Sequence, residues 1–257
     1  ADHPAGPYQA PGTGPGSGGG VPAGFAGRNH LTVPLATLLG LAGRPGELPG
    51  LGPVDPWLAR DLAFASAANP KTSWCLTVTD GRGWAVGHAC ARPEPASHAK
   101  KHKNQPPGGT DPPGFTFTRV GPGPSGGYGT WRLTTGVPGQ RAWLLTIDPI
   151  PAGDCDHRYE ASGHDPGVKL RHLTTIRHAT CTGPMCERPS GRADFEHNIP
   201  YEKGGRTCLC NTGPKCRHEH RLKQDPRWTV EQHPDGTFTW TTPSGRQYTT
   251  EPTEYPI

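Results

Sequence analysis

Apolar positions along this chain change period several times, and each change marks an element. Residues 31–43 (LTVPLATLLGLAG) are almost continuously apolar. Thr32 and Pro34 stand where a cap and a first-turn proline belong, so a short helix is expected. Asp55-Pro56 opens a second helix through WLARDLAFASA, and Asn69-Pro70 closes it. Residues 74–79 (WCLTVT) and 84–89 (WAVGHA) then read as a hairpin around Asp80-Gly81-Arg82-Gly83. Residues 130–134 and 142–147 predict two more strands. From Asp165-Pro166 the period is helical, with Leu170, Leu173 and Ile176 on one face and Lys169, Arg171, His172, Arg177 and His178 on the others. Beyond Pro226, which ends a later helix, residues 227–250 alternate as three short strands with turns at 234–236 and 243–245. Trp228, Val230, Phe238, Trp240 and Tyr248 are spaced to line sheet faces as core.

Composition limits how much of the chain can pack. Among 257 residues there are 37 Gly and 32 Pro, and only 32% are hydrophobic, so a single core spanning the whole length is not expected. Residues 1–28 are Gly/Pro-rich and expected to be disordered. Residues 91–128 are expected to form a mobile loop, with Lys100, Lys101, Lys103, His98 and His102 on a solvated linker. Three segments follow: 1–28, a partial helical/β domain at 29–150, and a second domain at 151–257. The net charge of +4 permits nucleic-acid binding without demanding it. No apolar run reaches the roughly 18 residues of a membrane span. The first residues lack the order of a secretory signal, and with Ala1 first and Met185 the sole Met, a start further upstream is expected.

The eight cysteines are 75, 90, 155, 181, 186, 208, 210 and 216. Five lie within 181–216 among histidines and acids, which favours metal binding in a reducing cytoplasm over a disulfide frame. That block also holds the parts of a phosphodiester-cleaving site. Hydrolysis needs a base to deprotonate water, and histidine has the right pKa. It also needs a divalent metal to neutralise charge at phosphorus and to help the leaving oxygen. Glu196 offers a carboxylate, His197 and His220 imidazoles. Neighbours on a strand face opposite ways, so for Glu196 and His197 to serve one site the backbone must bend. Pro214 is placed in the first turn of a helix reaching about Gln224, on which Cys216, Glu219 and His220 share a face. His218 lies on the far side, so His220 is the preferred ligand.

The segments LRHLTTIRHATCTGPMC, DFEHNIPYEKGG, CLCN, CRHEHRLKQ and WTTPSGRQY resemble HNH endonucleases of the ββα-metal type. The nearer resemblance is to those of high-GC bacteria, in which a helical domain of unknown function precedes a C-terminal HNH nuclease domain. It covers about residues 150–257 and continues more weakly through LPGLGPVDPWLARDLA and NPKTSWCLTVTDGRGWAVGHACARP. The resemblance implies an α+β protein with a C-terminal ββα-metal domain, preceded by a small helix-plus-hairpin region and long Gly/Pro-rich loops. It implies hydrolysis of double-stranded DNA to 5′-phosphate and 3′-hydroxyl ends. His197 would be the general base, Glu196 and His220 the ligands of a catalytic Mg²⁺ or Mn²⁺, and Asn211 the residue that fixes the loop carrying His197 or, as in some relatives, a third ligand. Lys203, Arg206, Arg217, Arg221 and Lys223 surround the site in sequence and are candidates for holding phosphates.

Two positions depart from the family pattern. Glu196 stands where Asp is usual, and Glu219 where a zinc ligand is usual. Cys181, Cys186 and Cys216 would hold a structural Zn²⁺ whose fourth ligand is open among Cys208, Cys210, His218 and Glu219. Cys155, Asp156, His157 and His164 are read as loop, and Cys75 and Cys90 as strand core. The two departures also allow a rival reading, a catalytically impaired zinc-containing DNA-binding module. An RNA-directed nuclease and a zinc-stapled structural protein are weaker rivals.

Overall fold

Proline sets the entry to the first helices. In the computed structural model, which describes residues 31–48, 51–69, 71–95, 114–123, 127–136, 141–151 and 153–255, helix α1 (Leu35–Leu38) follows Pro34. A small hairpin, β1 (Gly46–Leu48) and β2 (Gly52–Val54), leads into α2 (Pro56–Ala67). The Asp55 side chain accepts a hydrogen bond from the Trp57 backbone N–H at 2.8 Å, capping α2. Ala59, Ala63 and Ala67 recur every fourth residue and are buried, so α2 sits close against its neighbours. A Cβ at Gly46 would fall 2.9 Å from that of Ala59, which is why β1 needs glycine there.

The upstream half is larger than a helix and a hairpin. Strands β3 (Cys75–Thr79), β4 (Ala85–Cys90), β5 (Arg92–Pro93), β6 (Thr116–Gly121), β7 (Gly129–Thr134) and β8 (Trp143–Pro149) form one antiparallel six-stranded sheet. Their order is β3-β4-β8-β7-β6, with β5 also on β8. The expected loop at 91–128 therefore contains strands at both described ends. Thr116 and Phe117 pair with Thr134 and Leu133, a partnership that the local Gly/Pro content concealed. Leu38, Ala63, Phe115, Leu133, Trp143, Leu145 and Ile147 form the core between α1, α2 and this sheet. Residues 1–28, and the Lys100, Lys101, Lys103, His98 and His102 group, lie outside the described residues.

The downstream half begins with α3 (Val168–Arg177). Its Leu170, Leu173 and Ile176 are buried with Ile150 and Leu209, as their spacing predicts. Two strands, β9 (Asp194–His197) and β10 (Thr212–Lys215), pair antiparallel, and α4 (Arg217–Gln224) follows directly. Pro214 lies within β10, not in a first helical turn, and Cys216 occupies the N-cap position of α4 without a side-chain cap bond. The chain closes with the expected meander, β11 (Thr229–Gln232), β12 (Phe238–Thr241) and β13 (Gln247–Thr250). Phe238 and Trp240 are fully buried, whereas Tyr248 is exposed, because β13 turns an edge to solvent. The protein is thus α+β, mostly sheet with few helices among the described residues. No helix among them is long and apolar enough to cross a membrane.

Candidate functional site

Strand alternation sorts the acids and the histidine of β9. Asp194 and Glu196 lie two apart and share the side that meets α4. His220 on α4 bridges them, with Nδ1 2.9 Å from Asp194 Oδ2 and Nε2 3.2 Å from Glu196 Oε2. Glu196 Oε1 also receives Lys223 Nζ at 2.6 Å. Asp194 is a site residue that sequence reasoning passed over; its spacing of two from Glu196 was the available signal. An imidazole held at Nδ1 by a carboxylate can offer Nε2 as a ligand, and here that nitrogen faces Glu196 Oε2.

His197 points to the other side of β9 and is buried. Its Nε2 lies 2.8 Å from Thr207 Oγ1, and that hydroxyl donates to the Gly163 carbonyl at 2.6 Å. A carbonyl only accepts and a hydroxyl has one proton. Thr207 must therefore accept from His197, which places the ring proton on Nε2 and leaves Nδ1 with a lone pair. Burial, and then the neighbouring His164, hold the His197 pKa below its usual value. The rings of His164 and Tyr201 flank it, with centroids 5.0 and 5.9 Å away. Glu196 and Lys223 also act on its charge, so the two sides of β9 remain electrostatically coupled.

Asn211 holds the intervening loop by both ends of its amide. Its Oδ1 accepts from Ile199 N at 2.7 Å, and its Nδ2 donates to the Ile199 and Arg206 carbonyls, each at 2.9 Å. The Gly-Gly turn is required in place: Gly204 has φ of 84°, and a Cβ on Gly205 would collide with the Ile199 carbonyl and the Asn211 amide.

The basic residues divide. Lys203 and Arg221 are exposed. Arg206 pairs with Glu160 at 2.8 Å and Arg217 with Asp194 at 3.2 Å, both with much of their side chains in solvent. Lys223 is almost wholly buried on Glu196.

Among the described residues, three groups could hold a metal ion, and all are rich in cysteine: Cys181, Cys186 and Cys216; Cys155, His157, Cys208 and Cys210; and Cys75, His88, Cys90 and His172. In the first, the Cys216 and Gly183 amides both donate to Cys181 Sγ, at 3.2 and 3.4 Å. Met185 adopts φ of 54° just before Cys186, turning the chain back. The four candidates for a further ligand separate here. Cys208 and Cys210 belong to the second group, and the His218 side chain is largely in solvent. Glu219 is buried against Gly183 with Oε2 unpartnered, although it lies outside the thiol group itself. Lys215 is fully buried over the Phe238 ring at 4.4 Å, and burial brings its pKa down to about 7.

The second group adds to one expectation. Cys155 and His157, read as plain loop, lie in irregular backbone but join Cys208 and Cys210 in a group that could hold a metal ion. Cys155 Sγ lies 3.5 Å from Cys208 Sγ, and His157 Nδ1 lies 3.4 Å from it. A single helical turn at Leu209–Asn211 swings Cys210 to within 3.8 Å of the same nitrogen. His157 sits at φ of 57°, an unusual conformation for a residue with a Cβ. His164 and Asp156 stand outside the group. The third group corrects the reading of Cys75 and Cys90 as core, since both are exposed.

Over 88 residues the chain is 41% identical to the uncharacterized protein Rv3776 of Mycobacterium tuberculosis, covering 34% of this chain and 17% of that protein. It is 39% identical over 88 residues to the uncharacterized protein Rv2100 of the same species, covering 34% of this chain and 16% of the relative. The matched stretch thus spans about a sixth of these relatives' length. No family model and no solved structure matches the chain.

Proposed function

We propose that the chain is a metal-dependent HNH endonuclease that hydrolyses phosphodiester bonds of double-stranded DNA. One observation supports this reading: β9 carries a buried histidine with a defined tautomer on one side and a Glu–His pair made with α4 on the other, and an asparagine ties down the loop that follows. Glu196 Oε2 and His220 Nε2 supply one oxygen and one nitrogen donor, a set that suits Mg²⁺ or Mn²⁺ with water completing the shell. Such an ion, when bound, neutralises charge at phosphorus and on the leaving oxygen.

The remaining work falls to this chain's own residues. His197 Nδ1 takes the proton from the attacking water, while Thr207 holds Nε2–H. The depressed pKa keeps the ring in its neutral, basic form at neutral pH. Asp194 holds His220 in orientation, and Asn211 keeps the loop after His197 from drifting. Lys203, Arg206, Arg217 and Arg221 present cations to the DNA backbone at the rim. Cys181, Cys186 and Cys216 hold one structural zinc, with Glu219 beside them, and Cys155, His157, Cys208 and Cys210 hold another next to Asn211.

The test is a plasmid-nicking assay. The full chain with Mg²⁺ or Mn²⁺ nicks supercoiled DNA, and His197→Ala lowers the rate by about 10²-fold or more. Retardation of DNA in a gel with no cut under any divalent ion would instead establish the impaired binding module.

A further inference from the structure

We propose that Cys75, His88, Cys90 and His172 form a Cys₂His₂ zinc site that fastens the upstream sheet to helix α3. Cys75 and Cys90 are directly opposite in the β3–β4 register, and His88 lies two residues before Cys90 on the same strand face. His172 comes from α3, 97 positions from Cys75. The four ligand atoms lie within 4.8 Å of one another.

The spacings have the size of a coordination polyhedron. A tetrahedral zinc with bonds of about 2.3 Å to sulfur and about 2.0 Å to nitrogen has edges of roughly 3.8 Å between sulfurs and roughly 3.5 Å between sulfur and nitrogen. Here Cys75 Sγ and Cys90 Sγ are 3.7 Å apart, Cys75 Sγ and His172 Nε2 3.3 Å, and His88 Nε2 and Cys90 Sγ 3.4 Å. The sulfurs are too far apart for a disulfide, which needs about 2.05 Å. His88 supplies the second, independent observation. It is fully buried, its Nδ1 has no partner, and Nε2 faces the thiols. The buried ring thus presents the Nε2 lone pair to the two thiols, as a metal ligand would.

Charge agrees with the choice of ion. When both thiols ionise, two protons leave to solvent, and two thiolates with one dication sum to zero. No net charge is then left against the buried His88. Two thiolates and two imidazoles suit zinc better than the oxygen-seeking Mg²⁺ or Ca²⁺. The site joins separate parts of the fold. Arg171, next to His172, lies over the Phe195 ring at 5.4 Å, and Phe195 precedes Glu196 on β9. One ion on α3 therefore links the edge of the six-stranded sheet to the helix that braces the candidate active site.

The experiment reads thiols and metal, independently of any nuclease activity. Full-length protein loaded with Zn²⁺ is treated with iodoacetamide, and each cysteine is followed by mass spectrometry before and after chelation. Cys75 and Cys90 are exposed, so coordination should be their main protection; alkylation at both should rise at least about 10-fold when zinc is removed. Zinc content should fall by one equivalent per chain in His172→Ala and return in His172→Cys, which after Co²⁺ exchange shows a stronger thiolate-to-metal absorption band. Rapid alkylation of Cys75 and Cys90 in zinc-loaded protein whose Cys181 and Cys216 are protected overturns the proposal. Recovery of the two as a disulfide, or equal zinc in wild type and a folded His172→Ala, does the same.

Discussion

The two halves of this chain are held by different kinds of force. The upstream sheet has a continuous apolar core, from Leu38 and Ala63 through Leu133 and Trp143 to Ile147, with aromatic rings such as Trp74 and Phe115 in contact at its edge. The downstream half has a small apolar cluster of Ile150, Leu170, Leu173, Ile176 and Leu209. Much of its order runs through directed bonds. Trp240 Nε1 donates to the Thr182 carbonyl at 2.8 Å, Gln232 Nε2 to Leu209 at 3.0 Å, and Asn198 Nδ2 to Val230 at 3.1 Å. Two of the three cysteine-rich groups also lie wholly there. Apolar area tolerates small displacements, whereas a hydrogen bond or a ligand set fails once its geometry is lost. The half that carries the candidate chemistry is thus the half built for positional accuracy.

Chelation is the strongest way to break this contrast. Structural zinc sites contribute on the order of 10 kcal/mol, so metal removal should abolish amide-exchange protection across β9, β10 and α4 while protection persists in β7 and β8. Equal loss in both halves would show that they stand or fall together. A core truncation should do the reverse. Leu145 is buried at the centre of the upstream sheet, and Leu145→Ala is expected to cost about 2–5 kcal/mol in denaturant titration. Zinc at Cys181, Cys186 and Cys216 should stay at the wild-type level.

Acid gives the most local effect, and per pH unit the smallest. His178 is fully buried, and burial followed by the charge of Arg177 lowers its pKa from 6.5 to about 3. The unfolded chain takes up a proton below pH 6.5 that the folded chain refuses until about pH 3. Stability from this group is therefore complete above pH 6.5 and drains away towards pH 3, by at most about 1.4 kcal/mol per pH unit. In His178→Phe, compared with wild type at matched zinc content, that part of the slope should vanish. An unchanged slope would place the acid sensitivity at the metal ligands instead.

What the sequence made legible was local. The Asp55 cap, the β3–β4 hairpin, the apolar face of α3 and the closing meander each depend on residues within a few positions of one another. The pairing of β6 with β7, and of β8 with β4, depends on partners whose closeness no period records. The ligand groups follow the same rule. Cys181 and Cys186 announce themselves by spacing, but Cys208 gains its meaning from Cys155, 53 positions away. Cys75 gains its own from His172. At the candidate active site the Glu196–His220 pairing was readable, while the direction of the His197 side chain and the orienting role of Asp194 came only from seeing β9 packed on α4. Pro214 misled because a first-turn proline and a proline in a short strand look alike without the strand's partner.

Thr207 carries a consequence beyond its size. Its hydroxyl has a single hydrogen, and the Gly163 carbonyl claims it. The loop at Gly163 and His164, whose carbonyls both lie within reach of the Thr207 hydroxyl, therefore acts as a reference electrode for His197: where those carbonyls point sets which ring nitrogen is protonated. Chemistry on β9 is in this way conditional on the placement of a segment more than thirty residues upstream. Under the proposed function, a change of conformation there would move the ring proton to Nδ1, the nitrogen proposed as the base.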